Sequence, residues 1–180
     1  IGGPGVQADG DCYLAEISDD GTLVAFTSEA SNLAVRRAEQ NCYLYLRDLP
    51  RGTTRLVHTG GDVDHYGIAL SGNGQVVAFA STSRDLAPQD ANEMSDVFVQ
   101  DLRTGQIRCA SLNPAGVPAR GMSLACDLSR DGRVVAFCSD ATDLVPELAA
   151  KTPHVYRRDL QTGAITRVSQ APGGKPATTE

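Results

Sequence analysis

The chain has 180 residues and a formal net charge of −6, from 22 acidic and 16 basic residues. That balance argues against a nucleic-acid footprint or an anionic membrane as partner, and no apolar run approaches the ~18 residues needed to span a bilayer. The length suffices for one domain with a real core. Lys151 and Lys175 are the only lysines, and the pairs Arg36-Arg37 and Arg157-Arg158 read as solvated or edge-strand charges. Ile1-Gly2-Gly3-Pro4 does not resemble a signal sequence, although a cleaved one would leave no trace.

In chain order the predicted strands come in fours. Tyr13 to Ile17 is a first strand, and the turn Ser18-Asp19-Asp20-Gly21 leads to a second that ends at Ser28. A polar connection then reaches Tyr43-Leu44-Tyr45-Leu46-Arg47-Asp48, and a turn closed by Gly52 feeds Thr54-Arg55-Leu56-Val57. The next four are Tyr66 to Leu70, Val76 to Ser81, Asp96 to Asp101 and Ile107 to Ala110. The last four are Gly121 to Leu128, Arg133 to Ser139, Val155 to Leu160 and Ala164 to Ser169. Strands joined in sequence by turns make antiparallel meanders.

The three groups are copies of one another. Asp20-Gly21-Thr22-Leu23-Val24-Ala25-Phe26, Asn73-Gly74-Gln75-Val76-Val77-Ala78-Phe79 and Asp131-Gly132-Arg133-Val134-Val135-Ala136-Phe137 align without a gap. An Asp-Leu pair follows each Gly by 27 residues, at Asp48, Asp101 and Asp159, and a turn Gly closes the unit at Gly52, Gly105 or Gly163. Successive copies are 53 residues apart from Gly21 to Gly74 and 58 from Gly74 to Gly132. A β-rich repeat of this period predicts an array of small sheets that bury their faces on one another. The Val-Val-Ala-Phe core is apolar on both faces, as a sheet held between two others requires. The units run from about residue 6 to 58, 62 to 111 and 117 to 170, within a single array spanning 1–180.

The pattern Ser-x-Asp-Gly-x-x-Val-Ala-Phe-x-Ser, at Ser18 to Ser28, Ser71 to Ser81 and Ser129 to Ser139, resembles the TolB-type, WD-like β-propeller repeat of bacterial proteins. The strand ending in Asp-Leu and the turns Thr104-Gly105 and Thr162-Gly163 complete the likeness. The resemblance implies an all-β propeller of four-stranded meander blades, three in this chain. It implies a binding scaffold in most cases, in a periplasmic or secreted setting for some proteins, and an accessory to a hydrolase domain in others.

Propellers close with 4–8 blades, and three leave an apolar face uncovered at each end. From a strand spacing of ~4.8 Å and a rise of ~3.3 Å per residue, such a face covers roughly 300 Å². At ~25 cal/mol per Å² its exposure forgoes several kcal/mol, comparable with the stability of a whole domain. The expectation is completion to about six blades, either by a second copy in a homodimeric ring or by a segment of a longer propeller.

Connections between strands two and three, and from strand four to the next unit, are the long ones and emerge on one rim. That rim and the channel lined by first strands are the expected binding surface. Its candidates are Asp62, Asp64, His65 and Tyr66, with Asp11 and Tyr13 as the first unit's counterparts. Glu16 and Asp127 share a register position where the second unit has Ala69, which places both toward a wet channel. Asp90, Asn92 and Asp96 carry oxygen ligands that suit Ca²⁺, but Met94 and Ser95 break the loop pattern, and a turn held by Asx hydrogen bonds is the preferred reading. The repeated Asp48, Asp101 and Asp159 are expected to accept bonds from turn amides, and Asn32, Asp85 and Asp143 to hold loops.

Catalytic signatures are weak. Gly121-Met122-Ser123-Leu124-Ala125 lacks the last Gly of a nucleophile elbow. His58, His65 and His154 occupy three different template positions, and Gly174-Lys175-Pro176 lacks phosphate-loop spacing. No cofactor is required. Cys12, Cys42, Cys109, Cys126 and Cys138 read first as small buried hydrophobes, with one bridge between Cys126 and Cys138 as the competing reading. The expected function is a noncatalytic scaffold for protein or peptide binding that self-assembles into a ring. The alternative is a channel-centred enzyme or substrate-gating propeller acting on a small molecule, with a bound divalent metal.

Overall fold

The computed structural model describes residues 7–34, 42–58, 63–86, 92–146 and 152–170, apart from the side chains of 64–66 and 125–126. Strands β1 (Cys12–Ile17), β2 (Leu23–Ser28), β3 (Tyr43–Asp48) and β4 (Thr53–Leu56) form a first sheet. The second contains β5 (Val63–Leu70), β6 (Val76–Ser81), β7 (Asp96–Asp101) and β8 (Ile107–Cys109). The third contains β9 (Ser123–Leu128), β10 (Val134–Ser139), β11 (His154–Asp159) and β12 (Ile165–Arg167). Each sheet is an antiparallel meander, and the described residues contain no helix.

The repeated Ser-x-Asp/Asn-Gly segment explains why strands one and two turn where they do. Ser18 Oγ donates to Asp20 Oδ1 at 2.6 Å and accepts from the Leu23 amide at 3.0 Å. Ser71 and Ser129 repeat both bonds with Asn73 and Asp131, and with the amides of Val76 and Val134. Gly132 holds a φ of 70° in this turn, a left-handed conformation that a side chain strains. The Asp-Leu corners behave as expected. Asp101 Oδ1 accepts from the amides of Arg103 and Thr104, and Asp159 Oδ1 from those of Gln161 and Thr162, at 2.8 to 2.9 Å.

The sheets approach one another most closely through β1, β5 and β9 and splay apart toward β4, β8 and β12. The middle sheet is covered on both faces. Val77, Phe79 and Phe98 pack with Ala25, Leu44 and Leu46 of the first sheet, while Ala78, Val97 and Val99 pack with Val135, Phe137 and Tyr156 of the third. The same Val-Val-Ala-Phe run is therefore almost wholly buried in β6, whereas in β10 it alternates between buried and half-buried.

Three strands differ from the sequence reading by two or more residues at a boundary. β5 starts at Val63, three residues early, because the Val63 amide bonds the Cys42 carbonyl at 3.5 Å and Val63 faces Ser81. β9 starts at Ser123 because the chain turns at Gly121, where a Cβ would stand 2.6 Å from the Ala141 backbone. The fourth strand of the third sheet spans only Ile165–Arg167. Among the cysteines Cys42 is buried, Cys109 and Cys138 are half-buried, and the side chain of Cys126 lies outside the description. Cys12 departs from the expected burial: it is an exposed free thiol, because every residue of β1 faces solvent on the innermost edge.

Candidate functional site at the inner strands

Among the described residues β1, β5 and β9 each have a strand neighbour on one side only, so one edge of every sheet faces the region where the sheets converge. Each also carries a register irregularity, between Cys12 and Ala15, between Val63 and Ile68, and opposite Ala136 and Phe137. Such bulges re-aim side chains along an inner strand. Glu16 pairs with Ala25 and Asp127 with Ala136, the same register position in two sheets. Both are exposed, yet partial desolvation, followed by the charge of Asp127, raises the Glu16 carboxyl above its ordinary range.

Below the inner strands the three turns lock together. The Asp19 amide donates to the Gly72 carbonyl and the Asn73 amide to the Arg130 carbonyl, both at 2.9 Å. Asn73 Nδ2 adds a 3.1 Å bond to the Asp131 carbonyl. Arg130 Nε reaches Asp19 Oδ2 at 2.6 Å, joining the third sheet to the first. Asp19, Asp20, Gly72, Asn73 and Arg130 line a depression of ≈ 370 Å³ there. A groove of ≈ 400 Å³ at the same end, between the first and second sheets, is lined in part by Arg51, Arg55 and Arg103.

No family model matches the chain, and no curated protein sequence does. Solved structures do. TolB from Acinetobacter baumannii superposes with a TM-score of 0.58 at 18% identity, over 94% of this chain and 35% of that one. A putative TolB from Agrobacterium tumefaciens gives 0.61 at 19% identity, over 89% of this chain and 47% of that one. The chain has the TolB-type β-propeller fold. It spans less than half the length of either TolB. The same blades also resemble an oligogalacturonate lyase from Vibrio parahaemolyticus, with a TM-score of 0.56 at 12% identity over 90% of this chain and 41% of that one.

Within this propeller arc the expected site residues scatter. Asp11 is exposed, and its backbone carbonyl accepts from the Glu29 amide at 3.0 Å. Tyr13 is exposed, and its hydroxyl donates to Glu29 Oε1 at 2.8 Å, which chiefly pushes its pKa up to about 12. Asp64, His65 and Tyr66 lie on β5 with their side chains outside the description, and Asp62 and Asp90 lie outside the described residues altogether. Asn92 and Asp96 serve loop and sheet structure. Asn92 Oδ1 accepts from the Met94 amide at 2.6 Å, and Asp96, buried, accepts from Ser111 Oγ at 2.5 Å.

His154 acquires a hydroxyl partner that the sequence did not reveal. Its Nδ1 lies 3.1 Å from Ser169 Oγ and its Nε2 3.3 Å from Thr152 Oγ1. Ser169 and Ser111 are equivalent residues that accept from the Val155 and Val97 amides at 3.0 Å. The pair is blade architecture, in which His154 stands where Asp96 stands in the second blade. The turn-end depression and the arginine-lined groove lie at the end of the tight turns, opposite the long connections expected to form the binding rim. The usable signal was variation in register: one turn position reads Asp19, Gly72 and Arg130 across the three blades.

Proposed function

We propose that this propeller arc is a noncatalytic scaffold that binds an extended peptide or protein segment along its inner strands. The observation that carries this reading is β1, whose six residues are all exposed, including Tyr13 at 41%, Leu14 at 39% and Ile17 at 58%. An unpaired strand edge with apolar and aromatic side chains on both faces accepts an added strand through main-chain hydrogen bonds. Glu16 beside Asp127 adds negative charge, which favours segments carrying Lys or Arg. A periplasmic or secreted setting is the compartment favoured by the repeat resemblance.

A random peptide library panned on the purified protein tests this. The expected result is enrichment of extended, basic-apolar sequences whose binding is lost in Ile17→Asp. Enriched peptides that bind Ile17→Asp as well as the parent chain would overturn the assignment to β1.

A second reading rests on the Glu16 and Asp127 carboxylates. A channel-centred enzyme, or a propeller gating a small-molecule substrate, would use such a pair for proton transfer or to hold a divalent metal. Calorimetric titration with Ca²⁺, compared with Glu16→Gln, separates it from the scaffold reading.

A further inference from the structure

The two interfaces between neighbouring blades are built from the same contacts. In each, a residue at the start of strand two meets the turn glycine of the following blade. A Cβ on Gly74 would lie 2.9 Å from Leu23 Cδ1, and one on Gly132 would lie 2.7 Å from Val76 Cγ2. In each, an arginine on strand four also reaches the carbonyl of the next Asp-Leu corner. Arg55 Nη2 lies 3.5 Å from the Leu102 carbonyl and Arg108 Nη1 2.8 Å from that of Leu160. The corner leucine packs into the seam: Leu160 is 7% exposed, and Leu102 lies against the core shared by the first two blades.

Both halves of this contact set recur on the outer faces, unmatched among the described residues. On the third blade Val134 occupies the position of Leu23 and Val76, opposite Asp159 as they are opposite Asp48 and Asp101. Ala136 and Val155 are half-buried there, whereas Ala25, Ala78, Leu44 and Val97 are fully buried at the same positions. On the first blade Gly21 has the φ of Gly132, 70°, but nothing within 4 Å of its Cβ position. Leu49, the corner leucine, is 51% exposed.

The arginine is kept but moved. Arg55 and Arg108 pair across strands with Leu46 and Val99, and at the equivalent pair the third blade has Thr166 opposite Arg157. Cross-strand partners stand about 5 Å apart, a distance that the long arginine side chain spans. The exchange of strands leaves one guanidinium on the face, exposed at Arg157.

We propose that a second copy of this chain covers these faces, the third blade of one copy stacking on the first blade of the other. Val134 then lies against Gly21 of the second copy, and Arg157 donates to the Leu49 carbonyl, which accepts one bond from the Gly52 amide and has a lone pair to spare. The contact is head to tail, and made twice about a two-fold axis it closes three blades with three into a ring. The inner edges remain open to the axis, so this arrangement stands or falls independently of peptide binding.

Sedimentation equilibrium on the full chain at micromolar concentration reads the outcome. The parent chain is expected at twice its own mass. Gly21→Ala and Arg157→Glu are each expected to weaken association by about tenfold or more, with far-UV circular dichroism unchanged. Gly105→Ala, whose φ of 76° and open surroundings lie away from the contact, is the control and stays dimeric. A parent chain that is monomeric with a cooperative melt overturns the proposal in favour of completion by a segment of a longer propeller. A dimer indifferent to both substitutions overturns it in favour of another surface.

Discussion

Gly132 of the third blade lies so close to Val76 of the second that a Cβ on the glycine would stand 2.7 Å from Val76 Cγ2 and 2.9 Å from its Cβ. The neighbour is the base of a β-branched side chain, which has little room to yield. The repeated Asp/Asn-Gly thus does two jobs, a left-handed turn within a blade and a close approach between blades.

Gly132→Ala is expected to destabilise the chain by about 2–4 kcal/mol, from left-handed strain of about 1 kcal/mol plus overpacking. Gly163→Ala carries a similar φ of 76° with nothing within 4 Å, and should lose only the first part. Urea midpoints of the two variants make the comparison. Equal losses would mean that the turn alone, not the seam, requires the glycine.

The arginine clamps should be unequal. Arg108→Ala removes a 2.8 Å bond to the Leu160 carbonyl, expected to contribute about 1 kcal/mol. Arg55→Ala removes a 3.5 Å contact at the edge of hydrogen-bonding range and should cost less. Parallel chemical denaturation distinguishes them.

Acid stability follows from the turn carboxylates. Hydrogen bonds from Ser18 and Ser129 lead in holding Asp20 and Asp131 below the ordinary value of 3.8, and the side chain of Arg133 does so for Asp159. Groups with lowered folded pKa values stabilise above the unfolded value and lose that contribution as pH falls through the folded one. Thermal midpoints should therefore be level above about pH 5 and drop below about pH 4. Glu16 has the opposite sign. Its raised pKa makes the charged form unfavourable in the folded state, so Glu16→Gln should raise the melting temperature at neutral pH and leave it unchanged below the ordinary value of 4.5.

Thiol reactivity should divide the cysteines by depth. Burial pushes the Cys109 thiol up to about 12, leaving almost no thiolate near neutrality. Cys12 lies on the open inner strand. Iodoacetamide followed by peptide mass mapping should label Cys12 in the native protein and Cys109 only after unfolding. Native labelling at Cys109 would place that strand in solvent.

The sequence by itself determined the strands, the turns and their count. Ser18, Asp20 and Gly21 and their two sets of counterparts spell out a turn through bonds spanning at most five residues, and such local chemistry is readable without knowing what lies alongside. The array of stacked sheets was legible from the repeat, and its propeller form from the likeness of residues 18–28 and their two counterparts to the TolB-type repeat. The sites were not. Whether Val-Val-Ala-Phe is covered on both faces, as in β6, or on one, as in β10, depends on which sheet arrives next to it. The approach of Arg130 to Asp19, more than a hundred residues apart in the chain, and of Glu16 to Asp127 arises only when first strands converge. Convergence is a property of how whole sheets twist and pack, and no single repeat carries it.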